Sequence, residues 1–446
     1  MRSFFTSVRG RAYIVTFGFV ALIVFFSAYL IYYSASLYGL NEKGEELKKE
    51  YAKREERAAT IEGSITDSRD DIITYAEEPN KPAKCMYLSY GQLVGYNTIV
   101  DGRYGLRREF EDVLFKGDKN HHGSTVKLTT VNRIQNAAYN EIKGTEGCVV
   151  ILENSTGRII ALATTYPEIE FDVNDISNTV AAFNSSKDGW TQNWLKAYAP
   201  GSTMKPLTAT LIFDEGLSNE VYHDTGSEKI GGYTFHNAGK AANGNITTRK
   251  AVVKSCNTYF AHMTDKIGAY RLAERAERFG IGSDLKLDFC TVSSKHNLMN
   301  SSTVEVAAAG FGQGQLLLTP INIAMIGEAI ANGGELKKPY LIDSIFNAKG
   351  TSYQGETEEI GRVCSQEAAY YVAKAMREAA VSYGIDKKLG IRAKTGTAQV
   401  NGKYRASFLS FNDKYTVCIV ENNTNKAGKN LSKSAIRLYK ELSYLS

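Results

Sequence analysis

Pro200-Gly201-Ser202-Thr203-Met204-Lys205-Pro206 is the stretch from which the rest of the chain is read. Gly201 permits a tight entry into a helix, Ser202 stands where that helix starts, and the apolar run Leu207 to Phe213 continues it. Pro206 is tolerated because it falls in the first turn, where a missing N–H costs little. Three apart on a helix, Ser202 and Lys205 share a face and lie within side-chain reach. A serine becomes a useful nucleophile once a base takes its proton, and a lysine of lowered pKa can be that base. The positive end of the helix dipole favours an oxyanion beside Ser202 and makes protonation of Lys205 harder. Taken alone, the spacing equally fits a helix-capping serine followed by a solvated lysine.

Two further stretches change that weighting. Ser255-Cys256-Asn257 follows a helical approach, and Lys394-Thr395-Gly396-Thr397-Ala398 follows a short apolar-edged segment. Read singly, Ser255 and Asn257 fit helix caps, and Lys394, Thr395 and Thr397 fit an ordinary strand with threonines on one face. Serine-x-x-lysine, serine-x-asparagine and lysine-threonine-glycine in that order form the set shared by penicillin-binding proteins and serine β-lactamases. The joint occurrence is far more specific than any one member.

The chain has 446 residues, room for one large domain and a smaller one. Its 43% hydrophobic and 23% charged content describes a globular protein. A net charge of +5 is slight for this length and argues against dedicated nucleic-acid binding. Tyr13 to Tyr33 carries no charge and as a helix would run about 31 Å, enough to cross a bilayer. Arg2, Arg9 and Arg11 precede it and Glu42, Glu45 and Glu46 follow, which places the N-terminus in the cytoplasm and the bulk of the chain outside. The length of the apolar run and the belt of Tyr29, Tyr32 and Tyr33 favour an uncleaved anchor over a signal peptide. Six cysteines are scattered without Cys-x-x-Cys pairs, and six histidines fall in no ligand spacing, so neither a metal nor another cofactor is expected. Trp190 and Trp194 read as packing residues.

The expected organisation is a cytoplasmic tail (1–12), a transmembrane helix (13–33) and a charged helical stalk (34–60). A small, polar, membrane-proximal region (61–125) and a catalytic domain (126–446) follow. In the stalk, Glu45 with Lys49 and Glu50 with Arg54 stand four apart, as on a solvated helix. Ile61 to Tyr75 suggests a small hairpin or an extended arm, and the region as a whole is expected to hold little core. Gly147 to Tyr166 reads as two strands joined by Asn154-Ser155-Thr156-Gly157, with continuous apolar runs that suit burial on both faces. Thr247 to Phe279 holds two helical patterns, the first carrying Ser255 and Asn257. Gln366 to Ser382 is a helix, Ile391 to Val420 a three-strand meander and Ser432 to Leu445 a closing helix. Strands from both ends of this span with helices between them imply an α/β protein of the α+β type. One antiparallel sheet is flanked by helices and a helical subdomain.

With these motifs the chain resembles the penicillin-binding transpeptidases, in particular the membrane-anchored monofunctional (class B) group, over most of its length from Ile61. Glu62-Gly63-Ser64-Ile65-Thr66-Asp67 is similar to that group's arginine-glycine-x-isoleucine-x-aspartate opening, and Gly312-Gln313-Gly314 and Thr319-Pro320 are similar to its helical region. The usual pedestal is reduced, no glycosyltransferase domain fits, and Ser407-Phe408 takes the place of a tryptophan-phenylalanine pair. The resemblance implies that Ser202 attacks between the two terminal D-alanines of a peptidoglycan stem peptide and that Lys205 takes its proton. Ser255 would relay a proton to the leaving D-alanine, and Asn257 would bond the substrate amide and hold Lys205. Lys394 would supply positive potential, Thr395 and Thr397 would bind the terminal carboxylate beside Gly396, and the N–H groups of Ser202 and Thr397 would form the oxyanion hole. β-Lactams are implied as covalent inhibitors, and a membrane glycan polymerase as partner. The alternatives are a D,D-carboxypeptidase or β-lactamase that uses water as acceptor, a β-lactam sensor, or a structural subunit without catalysis.

Overall fold

The computed structural model describes residues 8–98, 101–118, 120–186, 190, 192–400 and 403–445. The first seven residues, Arg2 among them, lie outside this set, as does Lys119. The chain divides into two units, Met1–Thr60 and Ile61–Ser446.

The first unit is a single helix, α1 (Val8–Ala59). Its segment Ala12–Ser36 is long and apolar enough to cross a membrane and is wholly exposed. Beyond it the polar half is laced by short-range ion pairs. Arg54 reaches Glu50 at 2.8 Å, while Glu45 pairs with Lys48 at 3.1 Å instead of Lys49. Such exposed pairs add only about 0.3–0.5 kcal/mol each.

In the second unit β1 (Ile65–Thr66) and β2 (Ile72–Tyr75) form a hairpin, the first of the two expected alternatives, with β3 (Lys84–Cys85) beside β2. Asp67 secures its turn. One carboxylate oxygen accepts from the Arg69 and Asp71 amides at 2.8 and 2.9 Å, and the other accepts from the Asn132 amide at 2.8 Å. This ties the hairpin to the start of α2 (Asn132–Ile142), while β1 pairs in parallel with β4 (Thr125–Leu128). Two long strands follow, β5 (Glu146–Glu153) and β6 (Ile159–Thr165).

The helices come next: α3 (Lys205–Asp214), α4 (Thr248–Lys254), α5 (Asn257–Ile267) and α6 (Pro320–Ala331). Strands β7 (Ile342–Asn347) and β8 (Gly350–Gln354) lead to α7 (Gln366–Ser382). The meander β9 (Arg392–Val400), β10 (Lys403–Phe411) and β11 (Tyr415–Thr424) precedes α8 (Ser432–Leu442). The main sheet runs β9-β10-β11-β5-β6, every pair antiparallel, so its strands come from both ends of the span as expected.

Both faces of that sheet are buried, which is why β5 reads as one unbroken apolar run. Cys148, Val150 and Leu152 turn to a core shared with α3 and α6, while Val149 and Ile151 turn to a second core with α2 and α8. Cys148 and Cys418 are fully buried, and all six cysteines are free thiols. Trp194 is fully buried and Trp190 packs among Tyr104, Phe171 and Phe183.

Two expectations need correction. Residues 61–125 do not form a spacer with little core: Ile65, Ile73, Tyr90, Leu93, Leu106 and Leu114 all belong to the larger core. The reason is non-local, since the second sheet runs β8-β7-β4-β1-β2-β3 and covers this segment with strands more than 200 residues away. Glu62, standing where the resemblance expects arginine, makes a buried ion pair with Arg107 at 3.0 Å. Nor do Ser255 and Asn257 share one helix. Ser255 ends α4 in the left-handed conformation (φ 54°, ψ 40°), and α5 starts anew at Asn257.

Candidate active site

Three backbone segments converge at one edge of the main sheet. Gly201–Met204 forms a 3₁₀ turn that leads into α3, with Pro206 in the first turn of that helix. The left-handed Ser255 turns the chain between α4 and α5 so that its side chain faces the first segment. Strand β9 lies flat against Gly201–Met204, and Gly396 is what permits the approach. A Cβ there would lie 2.2 Å from Ser407 Oγ, 3.1 Å from Pro200 O and 3.3 Å from Thr203 Cγ2. A Cβ built on Gly201 would stand 4.0 Å from the Thr397 amide nitrogen, so that amide is close to the residue preceding Ser202.

The side chains meet at the Ser255 hydroxyl. It lies 3.1 Å from Ser202 Oγ, 3.1 Å from Lys205 Nζ and 2.9 Å from Lys394 Nζ. Lys205 also donates to Ser255 O at 2.6 Å and to Asn257 Oδ1 at 2.7 Å. These two acceptors draw the amine toward the Ser255 turn. No hydrogen bond links Ser202 directly to Lys205 among the described residues, in contrast to the contact expected from their spacing. Ser202 is joined to Lys205 through Ser255.

Both lysines are fully buried, and no carboxylate pairs with either amine among the described residues. Burial, and next the positive charge of Lys394, hold the Lys205 amine well below the usual lysine range. That is the state in which a lysine can accept a proton near neutrality.

Thr395 is half-buried and Thr397 exposed, and Thr397 Oγ1 accepts from the Gly428 amide at 3.0 Å. Ser407 pairs with Gly396 across the strands, whereas Phe408 is fully buried in the second core and does not line the site. Sequence reading missed Tyr383. Its hydroxyl stands 3.5 Å from Lys394 Nζ, and although burial pushes its pKa up, the Lys394 charge and hydrogen bonds with Thr395 outweigh this and hold it below the usual tyrosine value. A lone tyrosine just past the end of a helix gives no local signal of such a contact.

The profile described as "Penicillin binding protein transpeptidase domain" matches residues 147–442. The chain belongs to this family. It is 28% identical over 414 residues to the peptidoglycan D,D-transpeptidase PbpA of Mycobacterium tuberculosis, covering 76% of this chain and 82% of that protein. It is 27% identical over 295 residues to penicillin-binding protein 3 of Bacillus subtilis, covering 62% of this chain. The match spans only 43% of that Bacillus protein. Among solved structures, the D,D-transpeptidase domain of a peptidoglycan glycosyltransferase from Eggerthella lenta superposes with a TM-score of 0.79 at 24% identity, covering 87% of this chain and 99% of that one. Penicillin-binding protein A of M. tuberculosis, as a ceftriaxone acyl-enzyme complex, superposes with a TM-score of 0.77 at 22% identity, covering 86% and 98%. The fold is therefore the penicillin-binding transpeptidase fold, preceded by one helix suited to a membrane.

Proposed function

We propose that the protein is a serine D,D-transpeptidase that cross-links peptidoglycan stem peptides and is acylated by β-lactams. The observation that carries this reading is the Ser255 hydroxyl, within 3.1 Å of the nucleophile oxygen and of both amines. Ser202 Oγ attacks the carbonyl between the two terminal D-alanines. Its proton passes through Ser255 to Lys205, which is kept short of protons by its surroundings. The tetrahedral oxyanion is held by the N–H groups of Ser202 and Thr397, which are in place before charge develops. Collapse of the intermediate expels D-alanine, whose amine takes the proton back through Ser255. An amine of a neighbouring stem then attacks the ester, forms the cross-link and frees Ser202.

Lys394 attracts the substrate's terminal carboxylate, which Thr395 and Thr397 bind beside Gly396. Asn257 holds Lys205 with its oxygen. One of its Nδ2 hydrogens goes to His236 O at 3.1 Å, leaving the other for the substrate amide. Hydrolysis by a carboxypeptidase or β-lactamase needs a base for water. The described site carries no carboxylate hydrogen-bonded to Ser202 or Ser255, which supports slow deacylation by water.

The test is the intact mass of the full chain in detergent over several hours with a penicillin. A single persistent adduct, absent in Ser202→Ala, is the expected result. An adduct that vanishes as the drug is consumed would make the protein a β-lactamase, and no adduct would favour a structural subunit.

The apolar part of α1 serves as a single-pass anchor. Arg2, Arg9 and Arg11 put its start in the cytoplasm and so place the catalytic domain outside the membrane. Through anchor and stalk the protein works beside a membrane glycan polymerase. Exchanging residues 1–60 for an unrelated anchor is expected to abolish co-purification of that polymerase, and unchanged recovery would sink the idea.

A further inference from the structure

Beneath the Ser255–Asn257 turn lies a buried carboxylate with no cation beside it. Asp224 ends the short strand Tyr222–Asp224 and is 1% exposed. Among the described residues it makes no ion pair. Its Oδ1 accepts from the Gly226 amide at 3.0 Å and from Thr258 Oγ1 at 2.7 Å. Its Oδ2 accepts from the Asn243 amide at 2.9 Å and from Asn243 Nδ2 at 2.5 Å. Burial alone would raise its pKa, but these donors outweigh burial and hold it below the usual carboxylate range.

Both oxygens also face one side-chain amide, Asn237 Nδ2, at 3.0 and 2.9 Å. An ionised carboxylate only accepts hydrogen bonds. It therefore fixes which way the Asn237 amide points, with the nitrogen toward Asp224 and the oxygen away. That oxygen accepts from the Asn257 amide at 2.8 Å and from the Thr258 amide at 3.2 Å. Asn257 N is the first free N–H of α5, and Asn257 Oδ1 is what holds Lys205. Two residues back, Ser255 is in a left-handed conformation that a residue with a side chain adopts only when its surroundings impose it.

The geometry points to Asp224 and Asn237 as positioning residues for the acylation reaction, a buried clamp that sets the Ser255–Asn257 turn and through it the relay from Ser202 to Lys205. Among the described residues neither side chain hydrogen-bonds to Ser202, Lys205 or Lys394, so the clamp acts through the turn. This inference rests on the transpeptidase reading proposed above. A displacement of about 1 Å in a reacting group can cost about 10²-fold in rate.

The test uses isosteric exchanges in the full chain in detergent. Asn237→Asp replaces the donating Nδ2 by a second carboxylate oxygen facing Asp224, and the hydroxyl that reaches both residues, Thr258 Oγ1, has one proton and cannot donate to both. This exchange is expected to slow acylation by a fluorescent penicillin about 10²-fold. The peptide spanning residues 255–259 should lose hydrogen-exchange protection at the same time. Adding Asp224→Asn returns a donor between the two side chains, although its Nδ2 then also faces donors that Asp224 had accepted from, and should recover acylation about tenfold, together with part of the exchange protection. Acylation by Asn237→Asp within threefold of the wild type would overturn the proposal. So would a pair exchange that restores the melting temperature and leaves acylation at the single variant's level, because the network would then be structural only. If the wild type is not labelled, the functional reading fails, and exchange protection at residues 255–259 still decides whether the clamp holds the turn.

Discussion

Replacing Lys205 by methionine is expected to slow penicillin acylation about 10³-fold, the scale of a general base. The fold and Ser202 remain in place, but the proton leaving Ser202 through Ser255 no longer has a neutral amine to receive it. The pH profile separates this from a packing defect. In the wild type the Lys205 amine sits well below 10.5, first through burial and second through the charge of Lys394. Only the neutral amine accepts a proton, so the acylation rate should rise with pH through that lowered pKa and then level off. The residual rate of the variant should lack this rise. A wild-type profile that falls with pH over the same range would remove Lys205 from the role of base.

The same shift has a consequence for stability. Unfolded, the lysine holds its proton up to about 10.5; folded, it gives it up earlier. Wherever the unfolded chain binds more protons, stability rises with pH. The cost of burying Lys205 is therefore absent above 10.5 and grows as pH falls, until the folded amine itself becomes protonated. The wild type should lose melting temperature relative to Lys205→Met as pH is lowered from 10.5, whatever the methionine costs by leaving Asn257 Oδ1 without its donor. On the proposed mechanism, this buried lysine without a carboxylate partner is a place where stability has been given up for reactivity.

The sequence motifs located Ser202, Lys205, Ser255, Asn257 and Lys394 because each lies in a short pattern with its own local chemistry. The strands β5 and β6 were legible for a related reason, since burial on two faces leaves unbroken apolar runs, and β9–β11 were legible as short runs separated by polar turns. What stayed hidden depends on contacts distant in sequence. Tyr383 meets Lys394 from the end of α7, and Asn237 meets Asn257 across a polar loop that reads as loop and nothing more. The core of residues 61–125 depends on β7, far along the chain, so its scattered apolar residues look too sparse to form one. The left-handed Ser255 could not be read either, because the helical periodicity runs smoothly from Thr248 through Ile267 and serine gives no sign of positive φ.

The second large effect is expected at Gly312, far from the motifs in sequence but in contact with the segment that carries Ser202. Gly312 O accepts from the Gly201 amide at 2.8 Å, and a Cβ on Gly312 would stand 2.0 Å from Gly201 O. The obstacle is backbone, which cannot swing aside as a side chain can. The residue also has φ 86°, where alanine is strained. Overpacking costs about 1–3 kcal/mol and left-handed backbone about 1–2 kcal/mol, so Gly312→Ala should lose roughly 2–5 kcal/mol of stability. The Gly201–Met204 turn has to move to relieve the contact, and Ser202 moves with it away from Ser255. Acylation should therefore fall by about 10²-fold in the fraction that remains folded. Gly216→Ala is the matched control: its φ is 75° and nothing lies within 4 Å of the added Cβ, so it carries the strain without the collision. It should cost about 1 kcal/mol and leave acylation unchanged. Denaturant midpoints and acylation rates that fail to distinguish the two variants would show that Ser202 is held by its own turn and not by Gly312.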